Sequence, residues 1–119
     1  MLAVDSDPEA RWACQVNARA NGVEFPILES LEALAEPVQL MILADFLYDP
    51  ANLPLAERFL MLADAVLVAD SRVPRFTVPG YREVAVGLGI TEPDLGELDS
   101  VKQVRLYLGA GRGAGGVYC

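Results

Sequence analysis

The residues best suited to chemistry lie in the middle of the chain. The segment Asp45 to Tyr48, with the sequence DFLY, follows the apolar run Val38 to Ala44 and precedes a turn at Asp49-Pro50. The chain contains no histidine, which excludes Ser-His-Asp and Cys-His catalysis and imidazole metal ligands. Acid–base work must therefore come from Asp, Glu, Tyr, Lys or Cys, and a carboxylate and a phenol stand close together here.

Two more carboxylates stand where apolar runs end. Asp5 follows the run Leu2 to Val4, and Asp70 follows the run Ala65 to Ala69. Ligands of open α/β sheets bind outside the carboxyl ends of the strands, so such residues are candidates for function. Asp70, with Ser71 and Arg72, is interpreted first as part of a loop or a salt bridge.

Apolar runs, capping residues and turn residues alternate along the chain and predict strands that alternate with helices. The predicted strands are Leu2–Val4, Val23–Leu28, Val38–Ala44, Ala65–Ala69, Ile90–Glu92 and Val101–Leu108. Helices are predicted to begin near Pro8, Ser30, Asn52 and Tyr81, with Asp7 and Asn52 as caps. The pattern indicates a three-layer α/β domain with a mostly parallel sheet and an antiparallel strand near the C-terminus.

Composition narrows the class of protein. At 119 residues we expect one domain. Nine Lys and Arg against seventeen Asp and Glu give a net charge of −8, which argues against nucleic-acid binding. No apolar run reaches the roughly 18 residues of a membrane span. Cys14 and Cys119 show neither metal-ligand spacing nor a disulfide framework, so we expect free thiols, no metal and a cytoplasmic protein.

Three stretches together resemble a known family. Leu2–Gly22 (LAVDSDPEARWACQVNARANG), Gln39–Asp49 (QLMILADFLYD) and Val66–Tyr81 (VLVADSRVPRFTVPGY) are similar to the second strand and its helix, the fourth strand, and the fifth strand and its loop in class I S-adenosylmethionine-dependent methyltransferases. The nearest branch is the protein-lysine methyltransferases related to the electron-transfer-flavoprotein β-subunit enzyme, whose fourth strand ends in Asp-x-x-Tyr. The resemblance implies a partial Rossmann-like methyltransferase domain over residues 1–108. The Gly- and Ala-rich composition of residues 109–119 predicts a flexible tail.

The resemblance implies roles for four residues. Asp5, with Ser6 beside it, would bind the cofactor, the carboxylate accepting hydrogen bonds from the ribose hydroxyls of S-adenosylmethionine. Asp45 and Tyr48 would line the junction of methyl donor and acceptor, Asp45 touching the cofactor as well, and the acceptor would be a protein lysine. Two simpler interpretations stay open: Asp5 or Asp7 only caps the helix, and Asp45 to Pro50 is an ordinary turn with Tyr48 packed against the next helix.

The chain also departs from the family pattern. The first strand and its Gly-rich loop are missing; in the family that strand lies between the strands that match Leu2–Val4 and Val38–Ala44. Gln39 stands where the family often has Asp, and Ala44 where this branch often has Gly. We therefore expect a truncated and impaired methyltransferase with weak or absent cofactor binding. The tail reads as a strand followed by Gly-x-Gly-x-Gly, but a circular permutation is disfavoured because Tyr107 stands where an acidic residue is expected.

Two other interpretations remain. The chain could be a non-catalytic, methyltransferase-like interaction module, or a homodimer that closes an open sheet edge. It could also be a small flavodoxin-like or receiver domain, with Asp5 and Asp7 as an acidic pocket. The receiver interpretation is disfavoured because the only candidate for its lysine, Lys102, lies at the wrong end of the last strand.

Overall fold

The computed structural model describes residues 1–72, 76–90, 92–93, 96, 98 and 102–111. The chain divides into two units, Met1–Glu36 and Pro37–Cys119, where the sequence predicted one domain. The first unit contains β1 (Ala3–Val4), α1 (Pro8–Ala20), β2 (Ile27–Leu28) and a 3₁₀ turn, Leu31–Ala33. β1 and β2 form a two-stranded parallel sheet.

The first unit follows local sequence signals closely. The Asp7 side chain accepts a hydrogen bond from the Glu9 amide, and Pro8 occupies the first turn of α1, so the predicted cap is confirmed. Gly22, at φ +65°, follows the helix in the left-handed conformation that glycine favours. The predicted second strand shortens to β2, and the helix predicted at Ser30 is only the 3₁₀ turn, with no capping bond from the Ser30 side chain.

The second unit is an α/β structure with a mixed four-stranded sheet. Its elements are β3 (Val38–Ala44), two 3₁₀ turns (Phe46–Tyr48 and Pro50–Asn52), α2 (Leu53–Leu62), β4 (Ala63–Asp70), β5 (Tyr81–Leu88) and β6 (Gln103–Ala110). The strand order is β3-β4-β6-β5. β3 and β4 are parallel, as predicted, whereas β6 is antiparallel to both of its neighbours. The described sheet is therefore mixed rather than mostly parallel.

The core of the second unit lies between α2, the sheet and the segment around Phe76. Its buried apolar side chains are Leu47, Ala56, Phe59, Ala63, Val66, Val68, Phe76 and Tyr107. The Phe76 ring makes edge-to-face contacts with the rings of Tyr81 and Tyr107, with centroids 5.0 and 5.1 Å apart. Such contacts stabilise beyond the burial of area alone.

The structure corrects three predicted elements of the second unit. The segment predicted as a helix from Tyr81 is β5, which pairs with β6 along its length. The last strand runs on to Ala110, so Gly109 and Ala110 belong to β6 and not to a flexible tail. Ile90 lies outside the strands, so it does not begin a short one.

Some predictions concern residues outside the described set. Thr91 belongs to the predicted strand Ile90–Glu92, and residues 112–119 form the rest of the predicted tail, including Cys119. Cys14 is a free, half-buried cysteine, as predicted.

Candidate functional site

The turn that carries Asp45 and Tyr48 begins with an unusual backbone conformation. Asp45 has φ 49° and ψ 35°, the left-handed region, which aspartate tolerates better than most non-glycine residues. This conformation takes the chain from β3 directly into the 3₁₀ turn Phe46–Tyr48. The Asp45 amide still donates to the carbonyl oxygen of Ala69 (3.0 Å), so the turn begins while the chain is paired with β4.

Asp70, the last residue of β4, secures the same turn from inside the protein. Its side chain is 1% exposed. Oδ2 accepts from the Leu47 amide (3.0 Å), and Oδ1 accepts from the Arg72 amide (2.8 Å). A buried carboxylate is tolerated when hydrogen-bond donors replace the water it has lost. Asp70 is thus a buried structural carboxylate with backbone partners in two segments.

Further polar contacts hold the turn. The Ser71 hydroxyl donates to Asp45 Oδ1 over a long distance, 3.4 Å. The Asn52 side-chain amide donates to the carbonyl oxygen of Phe46 (2.7 Å), so Asn52 serves this turn and does not cap α2 as predicted. Consecutive residues at the end of β4, Ala69 to Ser71, therefore all bond to the segment Asp45–Leu47.

The three side chains of the 3₁₀ turn differ in how far they are buried. Leu47 is buried, and the Phe46 ring packs edge-to-face on Phe59 of α2 with centroids 5.5 Å apart. Tyr48 is 67% exposed. The structure therefore does not bear out the packing of Tyr48 against the next helix: the Phe46 ring makes the contact with α2, and Tyr48 is largely in solvent.

Asp5 and Ser6 form the loop between β1 and α1. The Asp5 amide donates to the Leu28 carbonyl oxygen (3.0 Å), and Asp5 Oδ1 accepts from the Asp7 amide (2.9 Å). Arg11 Nη1 donates to the carbonyl oxygens of both Asp5 and Ser6, each at 2.8 Å. The loop is well braced, and the Asp5 side chain is exposed at the strand end while it stabilises its own turn.

The structure brings together some predicted site residues. Asp45 and Tyr48 share one turn of the second unit, and Asp5 and Ser6 share one loop of the first. An open surface depression in the first unit touches none of these four; it is lined by Asp7, Pro8, Glu9, Ala10, Trp12 and Ala13. The interpretation from sequence underestimated the role of Asp70 in the turn. The sequence does contain a signal for this role, which is an apolar run that ends at a carboxylate.

Tyr81, a second tyrosine near the core, has a structural role and not an acid–base role. Its hydroxyl donates to the Ala56 carbonyl oxygen (2.7 Å). Burial raises the pKa of Tyr81 from its ordinary value of 10.0 to about 12, because a phenolate would lose its hydration. At neutral pH this phenol stays protonated and bonded to α2.

The described residues offer neither a cluster of metal ligands nor a membrane-spanning helix. Within those ranges no group of three or more His, Cys, Asp or Glu side chains could hold a metal ion. No helix in the same part of the chain is both long and apolar enough to cross a membrane.

Comparison with known proteins returns nothing: no protein-family model matches this chain, and no curated protein or solved structure matches it either. The functional interpretation accordingly rests on the geometry of the site and on the order of the elements.

Proposed function

We propose that this chain carries the acceptor side of an S-adenosylmethionine-dependent methyltransferase site, with a protein lysine as the methyl acceptor. The observation that carries the proposal is the turn at the end of β3. A left-handed Asp45 and an exposed Tyr48 stand in one turn, and the end of β4 holds that turn at three consecutive residues. The site is impaired as a whole, because its donor side is incomplete among the described residues.

The order of the strands supports the same interpretation. The resemblance places a first strand between β1 and β3. Among the described residues β1 pairs only with β2, and β3 pairs only with β4, so each strand has one unpaired edge. β6 runs antiparallel to its neighbours, as the resemblance implies for a strand near the C-terminus.

The described residues fit the ribose end of the cofactor and offer no counterpart for its methionine end. Asp5 presents an exposed carboxylate at the end of β1, and its bond to the Asp7 amide fixes the direction of that carboxylate. Vicinal hydroxyls suit an acidic acceptor in this position. For the methionine part, no described glycine leads from a strand into a helix, so a counterpart of the Gly-rich loop is missing from the described residues.

The turn has the groups that an acceptor amine needs. When bound, S-adenosylmethionine supplies a methyl group on a positively charged sulfur. An amine attacks only as the neutral base, so the Asp45 carboxylate would accept the proton of the lysine ammonium and pass it to solvent. The Tyr48 hydroxyl oxygen would accept an N–H hydrogen bond and so orient the nitrogen lone pair. As the N–C bond forms, the S–C bond breaks and its electron pair stays on sulfur, giving S-adenosylhomocysteine.

Calorimetry with S-adenosylhomocysteine tests the proposal. We expect a dissociation constant above about 100 μM, which corresponds to a standard free energy of binding no more favourable than about −5.5 kcal/mol. Asp5→Asn should weaken it further, because the amide supplies only one acceptor oxygen. Asp7→Asn is the matched control, since Asn caps helices as well as Asp does.

Each outcome of the calorimetry decides something. Micromolar binding would contradict impairment, and no binding at millimolar ligand would remove the donor-side role of Asp5. Equal affinities for the Asp5→Asn and Asp7→Asn variants would assign Asp5 to the turn alone. Methyl transfer to a lysine-containing peptide, lost in Tyr48→Phe with cofactor affinity unchanged, would support the acceptor role of the turn.

A second function is favoured by the composition of β3. This edge strand, VQLMILA, has no charge, proline or glycine, and Leu40 and Ile42 are 52% and 66% exposed. An unprotected edge of this kind invites another strand. We propose, as the alternative, a non-catalytic interaction module in which two copies pair through β3. Sedimentation separates the two functions, because only the module requires a dimer.

A further inference from the structure

We propose that Asp70 is the positioning residue of the candidate site: it takes the place of a helix N-cap for the turn Phe46–Tyr48 and so frees the Asp45 carboxylate to meet a ligand. This inference rests on the proposed function of the turn. Its structural basis is the pair of hydrogen bonds that the buried Asp70 carboxylate accepts.

The first turn of any helix has amide groups without partners inside the helix. The N-cap side chain normally accepts from one of the second or third helical amides. Here Asp45 occupies the N-cap position, and aspartate is among the best N-cap residues, yet its side chain makes no capping bond. The amide that it would cap, that of Leu47, donates to Asp70 Oδ2 instead.

The left-handed backbone of Asp45 explains the exchange. N-cap residues usually have extended backbone angles, which turn the side chain back over the helix start. At φ 49° and ψ 35° Asp45 does not have that geometry. Its carboxylate is exposed, with Ser71 Oγ as a distant partner at 3.4 Å. Asp70 therefore supplies the missing cap from 23 residues along the chain.

Only a carboxylate satisfies both donors at this position. The two oxygens of Asp70 accept from amides in different segments, Leu47 and Arg72. Asparagine has the same shape, but its NH₂ group is a donor and would face one of these amides. A single 3₁₀ turn has little stability of its own, so losing its cap should loosen the segment that carries Asp45 and Tyr48.

Nuclear magnetic resonance of the full chain tests the inference without any ligand. In Asp70→Asn we expect the hydrogen-exchange protection factor of the Leu47 amide to fall about tenfold or more, which is equivalent to about 1.4 kcal/mol. The protection factor of the Val68 amide in β4 should fall much less. We also expect Asp45 and Tyr48 to show broadened or multiple amide signals. Asp64→Asn is the matched control, because Asp64 is an exposed carboxylate on the same strand.

The outcomes distinguish a positioning role of Asp70 from a general structural role. An equal loss of protection at Leu47 and Val68 would mean that Asp70 only stabilises the fold. Unchanged protection of the Leu47 amide would mean that Asp70 does not cap the turn. Either result overturns the inference. If Asp70→Asn does not fold, the scalar coupling across the hydrogen bond between Leu47 nitrogen and Asp70 Cγ is measured in the unmodified chain. Its absence overturns the inference too.

Methyl transfer to a lysine-containing peptide is the separate test of function. If the chain transfers a methyl group, Asp70→Asn should lower kcat by about tenfold or more and leave KM for S-adenosylmethionine within about twofold, because the cap acts on the acceptor side. An unchanged kcat would overturn the inference. A chain with no transfer even at saturating S-adenosylmethionine, but with the Leu47 coupling and a selective loss of protection, would contradict the proposed acceptor role and keep Asp70 as the cap of the turn.

Discussion

The Asp45 backbone and side chain have separable effects, and this separation allows function and stability to be measured apart. The left-handed conformation sets the direction of the turn, whereas the carboxylate contributes only a long hydrogen bond from Ser71. Removing the carboxylate should therefore cost little stability, provided that the replacement residue accepts the backbone angles.

Two substitutions at position 45 test this at the residue scale. Alanine pays about 1–2 kcal/mol in the left-handed region, and glycine does not, although its larger loss of chain entropy cancels about 0.5–1 kcal/mol of the difference. We expect the free energy of unfolding of Asp45→Ala, measured by urea denaturation, to be about 0.5–1 kcal/mol lower than that of Asp45→Gly. Both variants lack the Ser71 bond, so each controls for the other. Equal stabilities would indicate that the turn does not keep its left-handed residue.

Local residue chemistry was predictable from sequence, and distant chemistry was not. Asp7 was identified as a cap because its partner, the Glu9 amide, is two residues away. Asp70 was interpreted as a loop or salt-bridge residue because its partner lies in a different element. A hydrophobic run that ends in a carboxylate indicates the position of a polar contact, but only the pairing of β3 with β4 identifies the partner.

At the scale of elements, β5 shows how tertiary pairing overrides a local pattern. Its apolar positions, Tyr81, Val84, Ala85 and Leu88, have the spacing of a helix face. A register shift between Glu83 and Ala85 breaks the alternation expected of a strand, so the segment resembles a helix in sequence. Pairing with β6 along the whole segment determines the outcome.

Gly109, assigned to a tail by sequence, is a packed residue of β6. A Cβ added there would lie 2.6 Å from both Leu60 Cδ2 and Tyr81 Cε1, closer than real contacts allow. The Tyr81 ring cannot move away cheaply, because its hydroxyl donates to the Ala56 carbonyl oxygen. Glycine at this position is therefore required by the contact between α2 and the sheet.

We expect Gly109→Ala to lower the free energy of unfolding by about 1–3 kcal/mol, the usual cost of overpacking. Gly87→Ala is the matched control: Gly87 lies in β5, and a Cβ there would meet no atom within 4 Å. The control should be neutral or slightly stabilising, because alanine restricts the unfolded chain. Urea denaturation of both variants measures the difference. Similar values for the two would place Gly109 outside the packed interface.

At the scale of the whole molecule, the two edges of the four-stranded sheet differ. The β5 edge carries Arg82 and Glu83 and has a register shift, which are features that discourage strand addition. The β3 edge has none of these protections in its seven residues. Association, if it occurs through the described sheet, should therefore use β3.

If the chain is the interaction module, we expect concentration-dependent self-association in sedimentation velocity. Ile42→Lys should then reduce it, because a lysine on an edge strand blocks pairing. Val86→Lys is the matched control, as Val86 is also an exposed apolar strand residue, at 45%, but lies in β5. A chain that stays monomeric at high concentration removes the interaction-module alternative. Equal loss in the two variants would place the contact elsewhere.

The α/β character of the chain could be predicted from sequence, whereas the order and the mixed direction of the strands could not. Alternating strand and helix signals were enough to indicate α/β structure, because each signal is local. The insertion of β6 between β4 and β5 depends on contacts between residues far apart in sequence, for example Val68 opposite Tyr107. The division into two units after Glu36 also depends on which residues contact one another, so no local signal in the sequence marks it.

The cap supplied by Asp70 also has a consequence for the order in which the molecule folds. Because the amide of Leu47 and its acceptor are 23 residues apart, the turn cannot reach its final shape until α2 has formed and β4 has joined β3. Closing a loop of that length costs chain entropy before any bond compensates for it. During synthesis Asp45 and Tyr48 are made before Asp70, so the groups proposed to do the chemistry reach their final positions only after the end of β4 has been made.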